Sequence, residues 1–308
     1  MDVNRRAERG AAAGLTWRRT LVLPAIAALV AIAVLAPLHA AGHNFLWKAT
    51  GRGGVLYLVG SVHVLSQDYY PLDPVLESSF KDSDLLVKEV DLGEMLAPES
   101  QLQVLTRGML PADQTLDKVL SPSTYALVTK TVGGIGAPME ALHRFKPWML
   151  AVALEGLVLQ QAGFDPNLGL DKHFYDLAQG AGKPVQGLET VEYQLSRFDE
   201  MTMAQQDRFL ADTLKELDTE KASVSKIADA WKSGNAPMVE EFVLKDLKSD
   251  PAMYQRLLVE RNRNWLPKLE ALFGRPGHAF VVVGAAHLVG PDGLLQMLKA
   301  KGYTVEQM

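Results

Sequence analysis

A glycine, two spacer residues and a histidine occur twice in this chain, near opposite ends, and each copy follows a short apolar run. The copies are Gly60-Ser61-Val62-His63 after residues 55–59, and Gly284-Ala285-Ala286-His287 after residues 280–283. Runs rich in β-branched and aromatic residues predict buried strands. Each glycine is then expected to let the chain turn sharply at the carboxyl end of its strand, where the histidine projects. If the two strands are neighbours in an open sheet, both imidazoles line one crevice.

Similar segments follow the two motifs. A short helix over 71–80 and a strand over 85–90 follow the first, and a helix over 294–299 and a strand over 303–305 follow the second. Residues 46–49 predict a hairpin partner before the first motif. We therefore predict an α/β fold whose mixed central sheet is built from two related β-(GxxH)-α-β halves. A mainly helical insertion over about residues 95–250, with one short strand near 184–188, separates the halves.

The first 41 residues have the three-part pattern of a secretory signal peptide. Five arginines are followed by an apolar stretch from Leu21 to about Leu38 and then by Ala40 and Ala41. The apolar stretch is also long enough to act as an uncleaved membrane anchor. We therefore predict export to the periplasm or the extracellular space, either released or anchored at the inner membrane by this segment alone. Residues 42–308 are expected to form a single domain.

The chain contains no cysteine, which excludes disulfides, thiolate nucleophiles and cysteine metal ligands. Any metal must therefore be held by histidine and carboxylate groups. A formal net charge of −5 without basic clusters argues against nucleic-acid binding. The chain also lacks the paired-histidine zinc helix, the Gly-x-Ser-x-Gly nucleophile elbow and the phosphate-binding P-loop.

The two motif histidines are the first candidates for chemistry. Imidazole and carboxylate together hold borderline divalent metals, so His63 and His287 need an acidic partner. Glu89 is the best candidate, because it ends the strand after the first motif at the point where an apolar run breaks. The structural alternatives are that each histidine satisfies local backbone groups and that Glu89 faces solvent.

A second group of candidates lies outside the strand tips. Arg261 and Asn262, on a predicted helix before the second motif, would stabilise an oxyanion and position the substrate, respectively. Their structural alternative is a solvated, charge-rich helix face. Glu189 and Asp171 are weaker candidates, and Asp171 has the alternative of capping the helix that begins near Leu170.

The order of these motifs resembles the TraB/GumN family over residues 45–308. The resemblance lies in the two Gly-x-x-His motifs bracketing a helical middle and in several short segments between and after them. These are residues 86–91 (Leu-Val-Lys-Glu-Val-Asp), Lys146-Pro147-Trp148, Gly187-Leu188-Glu189-Thr190, Glu260-Arg261-Asn262 and Gly302-Tyr303.

The resemblance implies a relation to the Tiki-type metalloproteases and to a wider superfamily with erythromycin esterases and ChaN-like haem-binding proteins. It implies an α/β core whose strand-tip histidines and glutamates line one cleft. Carried over by motif, the paired histidines are His63 and His287, the acidic residue is Glu89, and Glu260, Arg261 and Asn262 form a further segment. Because the Tiki-type members depend on divalent metals, the resemblance also implies a cation of the Zn, Mn or Co type.

These observations lead to one preferred hypothesis and three alternatives. The preferred hypothesis is an exported divalent-metal-dependent hydrolase, with a peptidase as first choice, in which His63, His287 and Glu89 hold the ion and Arg261 stabilises the oxyanion. The sequence does not decide whether one of these residues acts as the general base instead of binding the metal. The alternatives are a periplasmic haem- or metal-binding protein, a metal-free esterase-like hydrolase with a histidine base, and an inactive scaffold. The expected substrate is a peptide or a small ester or amide.

Overall fold

The structure, a computed structural model, describes residues 44–51 and 53–308, with the side chains of 218–223 and 246 left out. The predicted signal segment over residues 1–41 lies outside the described residues. Among those that are described, no helix is long and apolar enough to cross a bilayer.

The centre of the fold is a mixed six-stranded sheet, which confirms the predicted α/β class. Its spatial order is β4-β3-β5-β2-β1-β6. β1 is antiparallel to both of its neighbours, and all other neighbouring pairs are parallel. The strands are β1 Leu46–Thr50, β2 Val55–Ser61, β3 Leu85–Lys88, β4 Val185–Gly187, β5 His278–Gly284 and β6 Thr304–Gln307.

The two motif-bearing strands, β2 and β5, are parallel neighbours. Gly60 pairs with Val283 and Ser61 with Gly284, so both motifs leave the sheet at the same edge. Both strands are buried along nearly their whole length, as expected for continuous apolar runs covered on both faces of a sheet. The two motif histidines therefore follow neighbouring strands and lie at the same edge of the sheet.

The prediction that the motif glycine makes a sharp turn at the end of its strand is wrong for Gly60. At Gly284 the strand does end, and α14 begins at the next residue. Gly60 lies inside β2, and a Cβ at this position would come within 2.3 Å of the Phe45 ring. Its carbonyl accepts a hydrogen bond from Trp231 Nε1 at 2.7 Å. Gly284 ends β5 in an ordinary extended conformation. Both glycines make room for side chains from other parts of the chain.

Helices surround the sheet and form most of the segment between β3 and β5. Many begin at a proline or at a capping side chain, as with Asp73 before α1 and Ser121 before α5. A π-helical turn over Gln255–Val259 leads directly into α13. The helices are α1 Pro74–Lys81, α2 Leu92–Leu96, α3 Pro98–Gly108, α4 Leu116–Val119, α5 Pro122–Ile135, α6 Met139–Leu142, α7 Pro147–Gln161, α8 Leu170–Ala181, α9 Val191–Asp199, α10 Met203–Lys232, α11 Ala236–Ser249, α12 Pro251–Tyr254, α13 Glu260–Leu272, α14 Ala285–Leu288 and α15 Leu294–Ala300.

Three clusters of buried hydrophobic side chains stabilise the described part of the chain. The largest is built on the sheet and includes Leu58, Phe280 and Trp265. The second lies among the helices of the insertion and includes Leu154 and Leu214. The sheet core fixes the strand ends, and therefore fixes the backbone from which the candidate site projects.

Candidate active site

His63 follows β2 and is oriented by a carboxylate. Its Nδ1 atom lies 2.7 Å from Asp171 Oδ2, and its side chain is 66% exposed. The charge of Asp171 raises the pKa of His63 to about 9, with a smaller contribution from Glu89 and an opposing one from Lys88. The imidazole thus has one fixed nitrogen and one nitrogen, Nε2, that faces the cleft.

Asp171 reaches His63 because α8 begins unusually close to the first motif. A Cβ on Gly169 would lie 2.0 Å from the carbonyl oxygen of His63, and Leu170 N donates to Val62 O. The residue before α8 is Gly169, so Asp171 does not cap the helix, and that interpretation is wrong. Although burial raises the pKa of Asp171, the positive charges of His63 and Lys88 hold it well below its usual range.

Glu89 lies at the tip of β3 and is largely buried. Its Oε1 accepts from Gly284 N at 2.7 Å, and its Oε2 accepts from Arg261 Nη2 at 2.6 Å. Burial raises the pKa of Glu89, but Arg261 and the Gly284 N–H outweigh that effect and hold it at about 2. The carboxylate is therefore ionised and fixed at both oxygens.

His287 is buried in the short helix α14, and its tautomer follows from its neighbours. Asn262 Nδ2 donates to two carbonyls, of His287 and of Asp292, so Asn262 Oδ1 is the acceptor for His287 Nδ1 at 2.7 Å. His287 Nε2 then accepts from Arg261 Nη1 at 3.1 Å. Burial, together with the charge of Arg261, lowers the pKa of His287 to about 3. The ring is neutral.

Arg261 connects the two halves of the site. Its Nε and Nη2 donate to Glu189, Nη2 also donates to Glu89, and Nη1 donates to Leu257 O and to His287. These contacts engage all five N–H groups of the guanidinium. Glu189 in turn accepts from Trp265 Nε1 at 2.9 Å, and burial raises its pKa. In this arrangement Arg261 holds other side chains of the site in place.

The three residues predicted as the centre of the site meet above Gly284. A Cβ built on Gly284 would lie 3.2 Å from Glu89 Oε1, 3.6 Å from His63 Nε2 and 3.6 Å from His287 Cδ2. We call this space the Gly284 cradle. It lies at the carboxyl ends of β2, β3 and β5, which is where open α/β sheets place their ligands.

The donors around the cradle do not fit a divalent metal as they are arranged. In the described part of the chain, no group of three or more histidine, aspartate or glutamate side chains is positioned to hold one. Arg261 supplies the physical reason, because its N–H groups occupy His287 Nε2 and Glu89 Oε2. The other oxygen of Glu89, Oε1, accepts from Gly284 N and lies 3.9 Å from His287 Nε2.

Of the other candidate residues, four lie in the site and one, Glu260, lies outside it. The structure brings Asp171, Glu189, Arg261 and Asn262 into contact with the three central residues, whereas Glu260 is exposed and accepts from Arg197 Nη1 at 3.2 Å.

Sequence reasoning missed two residues of the site. Lys88 Nζ donates to Asp171, and Gln194 Nε2 lies 3.3–3.4 Å from Glu89 and Glu189. The available signal for Lys88 was a lysine inside an otherwise apolar strand. No comparable pattern marks Gln194.

Comparison with known proteins finds relatives along nearly the whole described chain. The model of the TraB/PrgY/gumN family matches residues 45–307. The chain is 28% identical over 265 residues to the uncharacterized protein YbaP of Escherichia coli K12, covering 84% of this chain and 94% of that protein. It is 20% identical over 308 residues to an uncharacterized protein of Treponema pallidum, covering 91% and 88%.

A more distant relative has a name that refers to an activity. The chain is 22% identical over 322 residues to a metalloprotease TIKI homolog of Amphimedon queenslandica, covering 88% of this chain and 62% of that protein. No solved structure matches the chain significantly. Since the family model spans nearly all of the described residues, including both Gly-x-x-His motifs and Glu89, the chain belongs to the TraB/PrgY/gumN family.

Proposed function

We propose that the protein is a hydrolase of peptides or small esters and amides, in which His63 activates water at the Gly284 cradle. The observation that carries this proposal is the contact of His63 Nδ1 with Asp171 at 2.7 Å, which leaves Nε2 facing the same cradle as Glu89 Oε1. A histidine held by a carboxylate at one nitrogen and open at the other is a general acid–base arrangement. The predicted export of the chain supports action outside the cytoplasm.

Each residue around the cradle has a distinct part in this reaction. Asp171 fixes the ring, so that His63 Nε2 takes a proton from water and returns it to the leaving group. Glu89 stays ionised beside Nε2 and stabilises the imidazolium that forms. Because the N–H groups of Arg261 are all engaged and its charge is paired with Glu89 and Glu189, Arg261 acts together with Asn262 by fixing Glu89 and His287 in place.

A divalent-metal-dependent peptidase is the second candidate. It is supported by the name of the sponge relative, a metalloprotease TIKI homolog, and by the anchoring of both histidines at Nδ1, which is typical of metal-ligating rings. His63, His287 and Glu89 are the residues proposed to hold the ion. This candidate requires Arg261 to release His287 Nε2. No contact in the site favours haem binding.

The experiment that separates the candidates is a metal titration combined with a hydrolysis assay. Purified protein would be titrated with Zn²⁺, Mn²⁺ and Co²⁺, and hydrolysis of p-nitrophenyl acetate and fluorescein-labelled casein would be followed with and without EDTA. The variants are His63→Ala, His287→Ala and, as a control away from the cradle, His143→Ala on the turn after α6.

The proposed function predicts hydrolysis that survives EDTA and falls about 10²–10⁴-fold in His63→Ala. Stoichiometric metal bound by the wild type and lost in both cradle variants, with activity abolished by EDTA, would favour the second candidate. Hydrolysis of neither probe by the wild type, with or without metal, would count against both.

A further inference from the structure

Lys88 is a buried charge that the proposed reaction does not use directly. Its side chain is only 2% exposed, at the carboxyl end of β3, which lies between β4 and β5. Burying an ammonium group is costly unless it is paired and hydrogen-bonded, and an apolar residue would serve the core equally well. The position therefore calls for an explanation beyond packing.

The ammonium group of Lys88 holds Asp171 at two points. Nζ donates to Asp171 Oδ1 at 2.9 Å and to the main-chain carbonyl of Asp171 at 2.8 Å. With one carboxylate oxygen and the backbone both engaged, the carboxylate has a single orientation, and its other oxygen, Oδ2, points at His63 Nδ1. Lys88 does not touch the imidazole itself.

The backbone of Lys88 is held on both sides by neighbouring strands. Lys88 pairs with Val282 of β5 on one side and with Gly187 of β4 on the other, and its carbonyl accepts from Leu188 N at 2.8 Å. His63, in contrast, lies in an exposed segment just beyond β2. Lys88 and Asp171 therefore connect the exposed imidazole ring of His63 to the sheet.

We propose that Lys88 is a positioning residue for His63, which it orients through Asp171 by fixing the carboxylate oxygen that accepts from the ring. The inference rests on the proposed function in taking His63 as the reacting base. The inference adds a residue of the central sheet to the site. In this role Lys88 controls the orientation of the His63 ring.

The test is the tautomer of His63 read from ¹⁵N chemical shifts of histidine-labelled protein, because the hydrogen bond to one ring nitrogen decides which nitrogen is protonated. Spectra would be recorded at about pH 10, above the pKa of about 9 of His63. Signals are assigned with His63→Ala. His287, held at Nδ1 by Asn262, serves as a control within the same molecule.

The wild type and Lys88→Arg are expected to show His63 protonated at Nδ1. Lys88→Met and Asp171→Asn are expected to shift it toward protonation at Nε2, with the His287 signals unchanged. Lys88→Met should also lower kcat about 10–100-fold with little change in KM, as partners of functional histidines do when removed. A Lys88→Met protein with the wild-type His63 tautomer would overturn the proposal.

If Lys88→Met does not fold, Lys88→Gln compared with Lys88→Arg gives the same decision, and equal tautomers in these two variants would overturn the proposal. The readout does not depend on catalysis. A wild type that hydrolyses neither p-nitrophenyl acetate nor casein would remove the proposed function, whereas the tautomers would still decide whether Lys88 orients the ring.

Discussion

The Nδ1 atom of His63 lies 2.7 Å from Oδ2 of Asp171, although 108 residues separate the two in sequence. The contact depends on the close approach of α8 to the end of the first motif, which Gly169 permits. It has two consequences for His63, because the carboxylate both fixes the ring and raises its pKa to about 9. Each consequence can be measured separately.

The first prediction concerns the pH dependence of hydrolysis. A base must be neutral to accept a proton, so kcat/KM is expected to rise as pH increases through about 9. Asp171→Asn removes the main cause of the raised pKa and should move the inflection down toward 6.5, while lowering the plateau. Asp176→Asn, an exposed carboxylate change on the same helix, is the control. An unmoved inflection in Asp171→Asn would contradict the assignment of His63 as the base.

The second prediction is a stability maximum near pH 6.5. Below it, stability falls because His287 must be protonated on unfolding yet stays neutral in the fold down to about pH 3, and the lowered pKa of Glu89 adds to the loss at more acid pH. Above it, stability falls toward pH 9, because folded His63 keeps a proton that the unfolded chain has released.

Urea unfolding between pH 4 and pH 10 checks this curve. Asp171→Asn should lose most of the alkaline decline. It should keep the part of the acid decline that comes from His287 and Glu89 and lose only the part that comes from the lowered pKa of Asp171 itself. A wild-type alkaline limb that is flat between pH 6.5 and pH 9 would argue against the raised pKa of His63.

The third prediction compares two glycines at opposite ends of α8. Gly169→Ala places a Cβ 2.0 Å from the His63 carbonyl and is expected to cost about 1–3 kcal/mol and to lower kcat by displacing His63. Gly180→Ala meets no atom within 4 Å and should raise stability by about 0.5–1 kcal/mol, since it lies inside the helix. Denaturant unfolding and kcat are the measurements. Equal effects of the two changes would exclude a close approach at Gly169.

The fourth prediction concerns the buried ion pairs. Arg261→Met leaves Glu89 and Glu189 buried without their shared partner and is expected to destabilise the fold by about 3–5 kcal/mol. Arg263→Met, an exposed change on the same helix, should stay within about 0.5 kcal/mol of the wild type. Adding Glu189→Gln to Arg261→Met should recover part of the loss, as a double-mutant cycle would show. Strict additivity would mean that the two residues do not interact.

Secondary-structure elements that depend on a local pattern of apolar residues were predicted well from the sequence. The apolar runs before both motifs gave β2 and β5, and the break in polarity at the end of β3 gave Glu89. The role of Gly60 was misjudged, because the residue that leaves no room for a side chain there is Phe45, which comes to lie against Gly60 only when β1 pairs with β2. Lys88 was not identified from the sequence, since nothing local reveals that its partner is on α8. The engagement of all five N–H groups of Arg261 likewise could not be predicted, because their acceptors lie in four other segments of the chain.

The strand order of the sheet also determines at what point of synthesis and folding the site can be assembled. β5 occupies the position between β2 and β3, yet it is the second-to-last strand to be made. A growing chain that has reached residue 277 has already produced His63, Glu89, Asp171 and Arg261, but it lacks Gly284, which holds Glu89, and His287. Long-range pairing of this kind closes late in folding. Under the proposed function, we therefore expect no hydrolysis by a growing chain until residues 278–287 have left the ribosome and β5 has paired with β2 and β3.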